Sequence, residues 1–299
     1  MNLGISVDGG HAHGVLMDPS GAVVARGSST ASDGADAIVG AARETLAGAK
    51  GARPAMAGVT FPDPDPRSWP DDLSFLSPAI GEHVPIRTLS TGNASALAEV
   101  WYGSGKGARH LIAFAIGPCV SAGVISNGVL LAGAHGLASS VQWLALNPVE
   151  REDYRRMGCL EAEGGAAGIV RRLVWRVKSG DRSRVADAAR GDFNGITVDM
   201  ILQGAQDNDG VSISVVRDTV KYLAMAVSNI AAVVDPEVIV LGGMLQSSGD
   251  LLLEPIRQEC ARRMPPGIYD RVRIEASTLG ADSAPLGAAR FAEFGSALP

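Results

Sequence analysis

The sequence predicts an α/β protein of two similar domains that face each other across a central cleft. Three observations lead there. A run of short extended segments opens the chain at Leu3 to Val7, and a second such run begins at 111. Each run is followed by helical periodicity and then by a further apolar strand. The 299 residues, 46% of them hydrophobic and 19% charged, are enough to bury a core in each of two domains.

The elements follow in order. Leu3 to Val7 turns at Asp8-Gly9-Gly10 into His11 to Asp18, and Pro19-Ser20-Gly21 turns again before AVVARGS. Extended runs punctuated by Gly, Pro and Asp read as an antiparallel meander. Residues 33–47 place Ile38, Val39, Ala42 and Leu46 on one helical face, and Ala55 to Phe61 return to strand character. FPDPDPRSWPDD (61–72) carries four prolines, which lack the donor a ladder or helix needs, so it is a loop. After Val84-Pro85-Ile86, the Ala-rich stretch Asn93 to Trp101 reads as a helix.

The second run repeats the plan. LIAFAIG is followed by GVIS, an Asn127-Gly128 turn and VLLAG, and Asn-Gly between apolar runs is a strong hairpin signal. Residues 211–234 form a long helix with Val215, Thr219, Leu223, Val227, Ile230 and Val234 on one face. It leads into the buried strand Val238 to Leu241, closed by Gly242-Gly243, and a helix at 250–263 follows. Duplicated sheet-and-helix units of this kind form a cleft, where ligands bind.

Composition narrows the function classes. A net charge of −6 gives no basic footprint for a phosphate backbone, which argues against nucleic acid. MNLGISVDGG lacks the features of a signal peptide, and LIAFAIG falls far short of the ~20 apolar residues that span a bilayer. No membrane and a cytoplasmic address are the expectations. Cys119, Cys159 and Cys260 are too few and scattered for a disulfide framework and read as buried thiols. The basic stretches RRLVWRVK (171–178) and ARRM (261–264) read as solvated helix faces. His11 and His13 alternate along one strand face, and no other histidines have metal-ligand spacing.

Five stretches in order resemble the ROK family (repressors, open reading frames and sugar kinases). GISVDGGHAHGVLMD (4–18) looks like its first phosphate hairpin, and VPIRTLSTGNASALAEVWYGSGKG (84–107) like the segment of its catalytic aspartate. IGPCVSAGVISNGVLLAGAHGLASSVQW (116–143) resembles the second phosphate hairpin and the sugar loop, and GCLE (158–161) the end of its zinc motif. DPEVIVLGGMLQSSGDLLLEPI (235–256) and TLGADSAPLGAARFA (278–292) resemble its adenosine end. The resemblance implies a duplicated actin-like ATPase (ribonuclease H-like) fold. Residues 1–112 would form the first domain, closed by a C-terminal helix at about 287–299, and 113–286 the second.

The resemblance also sets expectations for the site. The family's general base is an aspartate, and Thr91 stands in its place, with Ser90 before it instead of an asparagine. A threonine hydroxyl carries no accepting charge near neutral pH. Asn93 matches the family's next asparagine and is the expected sugar contact, with Thr91 and Ser140 beside it. Ser140 and Trp143 replace a glutamate and a histidine of the sugar loop. Glu99, eight helical residues and about 12 Å beyond Thr91, is a poor substitute base. Asp63 and Asp65 in the proline loop are the candidates for a displaced base, against a plain reading as solvated acids.

On the nucleotide side, ATP with Mg²⁺ is the implied cofactor, and Asp8, Gly9, Gly10, Gly117, Gly242 and Gly243 are the candidate contacts. An ungapped match puts Ser6 at the family's phosphate-side aspartate; a hairpin shorter by two residues puts Asp8 there, positioned for Mg²⁺. A plain Asp-Gly turn explains the same residues. Gly117-Pro118-Cys119-Val120-Ser121 replaces Gly-Thr-Gly-Ile-Gly, and Pro118 removes a backbone donor. Of the zinc ligands only Cys159 remains, so no zinc is expected.

Three functions follow: a sugar- or nucleotide-binding protein with a degenerate kinase site, an active ATP-dependent kinase of a hexose, amino sugar or cyclitol, and a regulator without its helix-turn-helix. The resemblance further implies a homodimer with a small-molecule partner.

Overall fold

The first sheet holds β1 (Asn2–Asp8), β2 (His11–Met17), β3 (Val23–Thr30), β4 (Met56–Phe61) and β5 (Ile86–Ser90), in the order β3-β2-β1-β4-β5. β1 to β3 are antiparallel, and β4 and β5 run parallel to β1. The computed structural model describes residues 1–296 apart from Gly9, Asp63 and Pro64, and of Gln246, Ser247 and Gly249 the backbone only. The candidates Gly9 and Asp63 therefore lie outside the described residues. Leu3, Ile5 and Val7 of β1 are buried, as a strand covered on both faces requires, whereas edge strand β3 alternates buried and exposed.

The second sheet holds β6 (Leu111–Ile116), β7 (Val120–Ser126), β8 (Val129–Leu130), β9 (Val238–Gly243) and β10 (Arg273–Ala276), ordered β10-β9-β6-β7-β8. An antiparallel meander with two parallel strands added beside its first member is the plan of both sheets. Asn127 and Gly128 have φ of 52° and 75°, as a two-residue turn with both central residues left-handed demands. The strand expected over VLLAG stops at Leu130, because β8 is an edge with β7 as its one partner.

Helices cover and join the sheets: α1 (Gly34–Gly48), α2 (Thr91–Trp101), α3 (Cys159–Gly164), α4 (Ala166–Lys178), α5 (Gly210–Val234), α6 (Leu253–Arg263) and α7 (Ser283–Phe294). α1 is capped by Asp33, whose carboxylate accepts from Ala35 N–H at 3.2 Å, and α5 by Asp209, which accepts from Ser212 N–H at 2.9 Å. The helix expected from 250 begins at Leu253, so that Pro255 falls in its first turn, where its missing N–H costs no bond.

α2 links the halves. It packs on α7 and on β6 and β7 of the second sheet. Gly92 makes the approach to β7 possible: a Cβ there would stand 2.1 Å from the Ala122 carbonyl oxygen. Leu89, Leu97, Leu111, Val240 and Ala288 fill the core at this junction. Burying each large side chain contributes about 1.5–3 kcal/mol.

Candidate ligand cleft

The ends of β1, β2, β6 and β9 and one face of α2 enclose a cavity of about 520 Å³. Of the candidates, Asp8, Thr91, Gly117, Gly242 and Gly243 line it, together with Ser6, His11 and His13. Ser6 and Asp8 are two apart on one strand and face the same way, so the two alignments lead to one wall. Burial pushes the Asp8 carboxyl above the usual range, and the nearby His11 opposes this.

Thr91, where the resemblance expects an aspartate, belongs to a chain of hydroxyls. Thr60 Oγ1 donates to Ser6 Oγ at 2.9 Å and lies 3.2 Å from Thr91 Oγ1. Ser90 caps α2, its Oγ accepting from Asn93 N–H at 3.3 Å. That cap holds Asn93 in the first turn, buried, with an Oδ1 that has no hydrogen-bond partner among the described residues. Asn93 does not line the cavity, whose wall from α2 is Thr91, Ser95 and Glu99, so this expected sugar contact is buried behind it.

The two glycine-rich hairpins differ in their donors. Gly10 is set by packing, since a Cβ would stand 2.2 Å from the Ala31 carbonyl oxygen. In the second hairpin Gly117 N–H bonds Cys119 O at 3.2 Å, Pro118 has no N–H, and Val120 N–H donates to Glu161 Oε2 at 2.6 Å. Cys119 is exposed and lines the cavity, which corrects its reading as a buried thiol; the hairpin bend turns it outward. Cys159 and Cys260 are buried, and burial pushes the Cys260 thiol up to about 11.

Glu161 was not singled out from the sequence, although it ends the GCLE stretch. Gly158, with φ of 92°, turns the chain into α3 and brings this carboxylate to β7. Burial pushes its carboxyl up to about 7; the Val120 N–H opposes the rise and the charge of Asp8 adds to it. Glu99 also lines the cavity. Its carboxylate accepts from Ser277 Oγ and from Ser104 N–H at 3.0 Å, and burial raises its pKa.

Gly242 lines the cavity, and Gly243 follows with φ of 72°. A Cβ on Gly243 would stand 2.1 Å from the Ile116 carbonyl oxygen, so glycine is required by the strand-to-helix turn itself.

The remaining candidates stand apart. Asp65 does not line the cavity; hydrogen bonds from Arg67 lower its carboxyl to about 2, which makes it a weak base at neutral pH. Ser140 and Trp143 do not line it either; Ser140 Oγ donates to Leu137 O at 2.6 Å, and the Trp143 ring is 52% exposed. Among the described residues no three His, Cys, Asp or Glu side chains stand together as metal ligands. No helix among the described residues is long and apolar enough to cross a membrane.

The profile of the ROK family matches residues 79–294. A glucokinase of Halalkalibacterium halodurans is 31% identical over 68% of this chain and 62% of its own length. The xylose repressor of Caldicellulosiruptor bescii is 27% identical over 66% of this chain and 49% of its own length. The chain thus spans less than two thirds of these relatives. Among solved structures, a ROK family glucokinase from Streptomyces griseus in complex with glucose and AMPPNP is similar at a TM-score of 0.80, with 21% identity over 97% of this chain and 98% of that one. A ROK family transcriptional regulator, a homolog of the E. coli MLC protein, has a TM-score of 0.78 at 20% identity, over 96% of this chain and 76% of that one. These likenesses show the actin-like ATPase fold of ROK sugar kinases, and the extent of the family match shows that the chain belongs to the ROK family.

Proposed function

We propose that this ROK-family protein binds a sugar in its cleft and does not transfer a phosphoryl group to it. One observation carries the reading: the Glu161 carboxylate occupies the Val120 N–H at 2.6 Å. Phosphoryl transfer relies on positioning and on stabilising negative charge. Here the second hairpin offers an anion a carboxylate, a proline and an N–H already bonded to Cys119 O.

The base side supports the same reading. Thr91 Oγ1 sits in a hydroxyl chain with Thr60 and Ser6, and none of these takes up a proton near neutral pH. The sugar reading rests on the match of Asn93 to the family's asparagine; its Oδ1 has no partner among the described residues, and a sugar reaches it only if the wall formed by Thr91 and Ser95 gives way. Asp8, one of two cavity carboxylates with Glu99, is the residue that would hold Mg²⁺, whereas ATP phosphates do not fit the second hairpin, where Glu161 takes the Val120 N–H. Activity as a kinase would need a displaced base; Asp65 is held by Arg67, and Asp63 lies outside the described residues. The reading includes a homodimer, tested by size-exclusion chromatography with light scattering.

Purified protein with ATP-Mg and a sugar panel (glucose, mannose, N-acetylmannosamine, xylose, inositol) tests this, following melting temperature and ADP release together. A rise in melting temperature with one sugar and ADP release at background is expected. Thr91→Asp is expected to stay at background too, because the hairpin donors remain occupied. Sugar-dependent ADP release by the wild-type protein would overturn the reading.

A further inference from the structure

A second cavity, of about 670 Å³, lies between residues 146–151, α4 and α5 and shares no lining residue with the cleft. Its size is within the ~300–1,000 Å³ of ordinary ligand sites. RRLVWRVK, which reads as a solvated helix face, instead supplies part of its wall.

The floor is an ion cluster around the buried Glu163. The Glu163 side chain is 3% exposed and accepts from Tyr154 Oη at 2.6 Å, with Arg172 at 2.8 Å and Arg151 at 3.3 Å. Arg171 stands 3.6 Å from Glu163, and Asp153 pairs with both Arg151 and Arg171. Three guanidiniums therefore face two carboxylates. The surplus is not buried, since the Arg151 and Arg171 side chains are 44% and 35% exposed, and it is open to an anion entering from solvent. Arg172 Nε is in addition buried with no acceptor among the described residues.

The walls and rim complete the recognition set. Arg172 stands 5.9 Å from the Tyr222 ring centroid, and Trp175 is 69% exposed at the cavity wall. At the rim, Lys221 Nζ has a single 3.4 Å contact to Asp218, and Arg263 shares Glu259 with Arg262. Five cations thus line a space with two aromatic faces, and the carboxylates paired with them number four.

We propose that this cavity binds a small phosphomonoester, with the phosphate at Lys221 and Arg263 and a ring-shaped body against Trp175 and Tyr222. A dianion suits two separate cations, and charge-assisted bonds to phosphate oxygens are the strong class. A ring on an exposed indole removes apolar surface from water on both sides.

Isothermal titration of the full chain with phenyl phosphate, inorganic phosphate and phenol tests the assignment. Phenyl phosphate is expected to bind saturably and more tightly than inorganic phosphate or phenol. Lys221→Gln with Arg263→Gln, both at the rim, should weaken it at least about tenfold without changing the melting temperature of the free protein. Trp175→Ala should bring phenyl phosphate toward the affinity of inorganic phosphate. The proposal is wrong if phenyl phosphate shows no saturable binding, if its affinity is unchanged in the double variant, or if phenol binds equally well.

Discussion

In the β1–β2 hairpin the paired register runs to Asp8 and His11, and the carboxylate at its end faces the cleft with burial raising its pKa. In the β6–β7 hairpin pairing ends at Ile116 and Val120, and the Gly117 and Val120 N–H groups go to Cys119 O and Glu161. Both hairpins serve their sheets equally well. They differ only in what their loops leave for a ligand. Sheet pairing thus draws on other backbone groups than those a bound anion would need, so it does not depend on what the loops hold.

The strongest way to break this comparison is at the base of the second hairpin. Gly243→Ala places a Cβ against Ile116 O and holds a non-glycine residue at φ of 72°, and should cost about 3 kcal/mol or more. The urea midpoint measures it; a shift within error of wild type would show that the turn does not rely on this glycine.

A smaller effect is expected where ligand binding is retained. Asn93→Ala removes the open Oδ1 and should weaken any stabilising sugar about tenfold while leaving the protein folded. Titrating the sugar against both proteins checks this, and equal affinities would remove Asn93 from the site.

The smallest effect separates the hairpins by pH. Glu161 is raised from 4.5 to about 7, so between these values the native protein holds a proton that the unfolded chain has released. Stability should therefore fall as pH rises through that window and level off above it. Asp8, also raised, adds in the same direction from its lower starting point. Melting temperatures from pH 5 to 8 should decline less in Glu161→Gln than in wild type; equal slopes would mean that Glu161 is not held in its neutral form.

Much of the fold was legible because its signals are local. Asn127-Gly128 marked its hairpin, the apolar face of 211–234 marked α5, and the proline loop was plain from composition. Thr91 opens α2 and lines the cavity, where the family resemblance expects an aspartate. What the sequence hid depends on distant partners. Glu161 acts on Val120, 41 residues away, and its raised pKa arises from burial and from Asp8 on another sheet. Glu163, two residues on, has the opposite surroundings, with three arginines around it. Nothing in the spacing of GCLEAE distinguishes the two. The outward turn of Cys119 and the packing need at Gly10 likewise come from tertiary contacts.

The occupied second hairpin is tested most directly by calorimetric titration of AMPPNP-Mg into wild-type protein and Glu161→Gln. At pH 8, above the Glu161 value of about 7, weak binding by the wild type, tightened about tenfold or more in Glu161→Gln, is the predicted result. Tight binding by the wild type that Glu161→Gln leaves unchanged would contradict it.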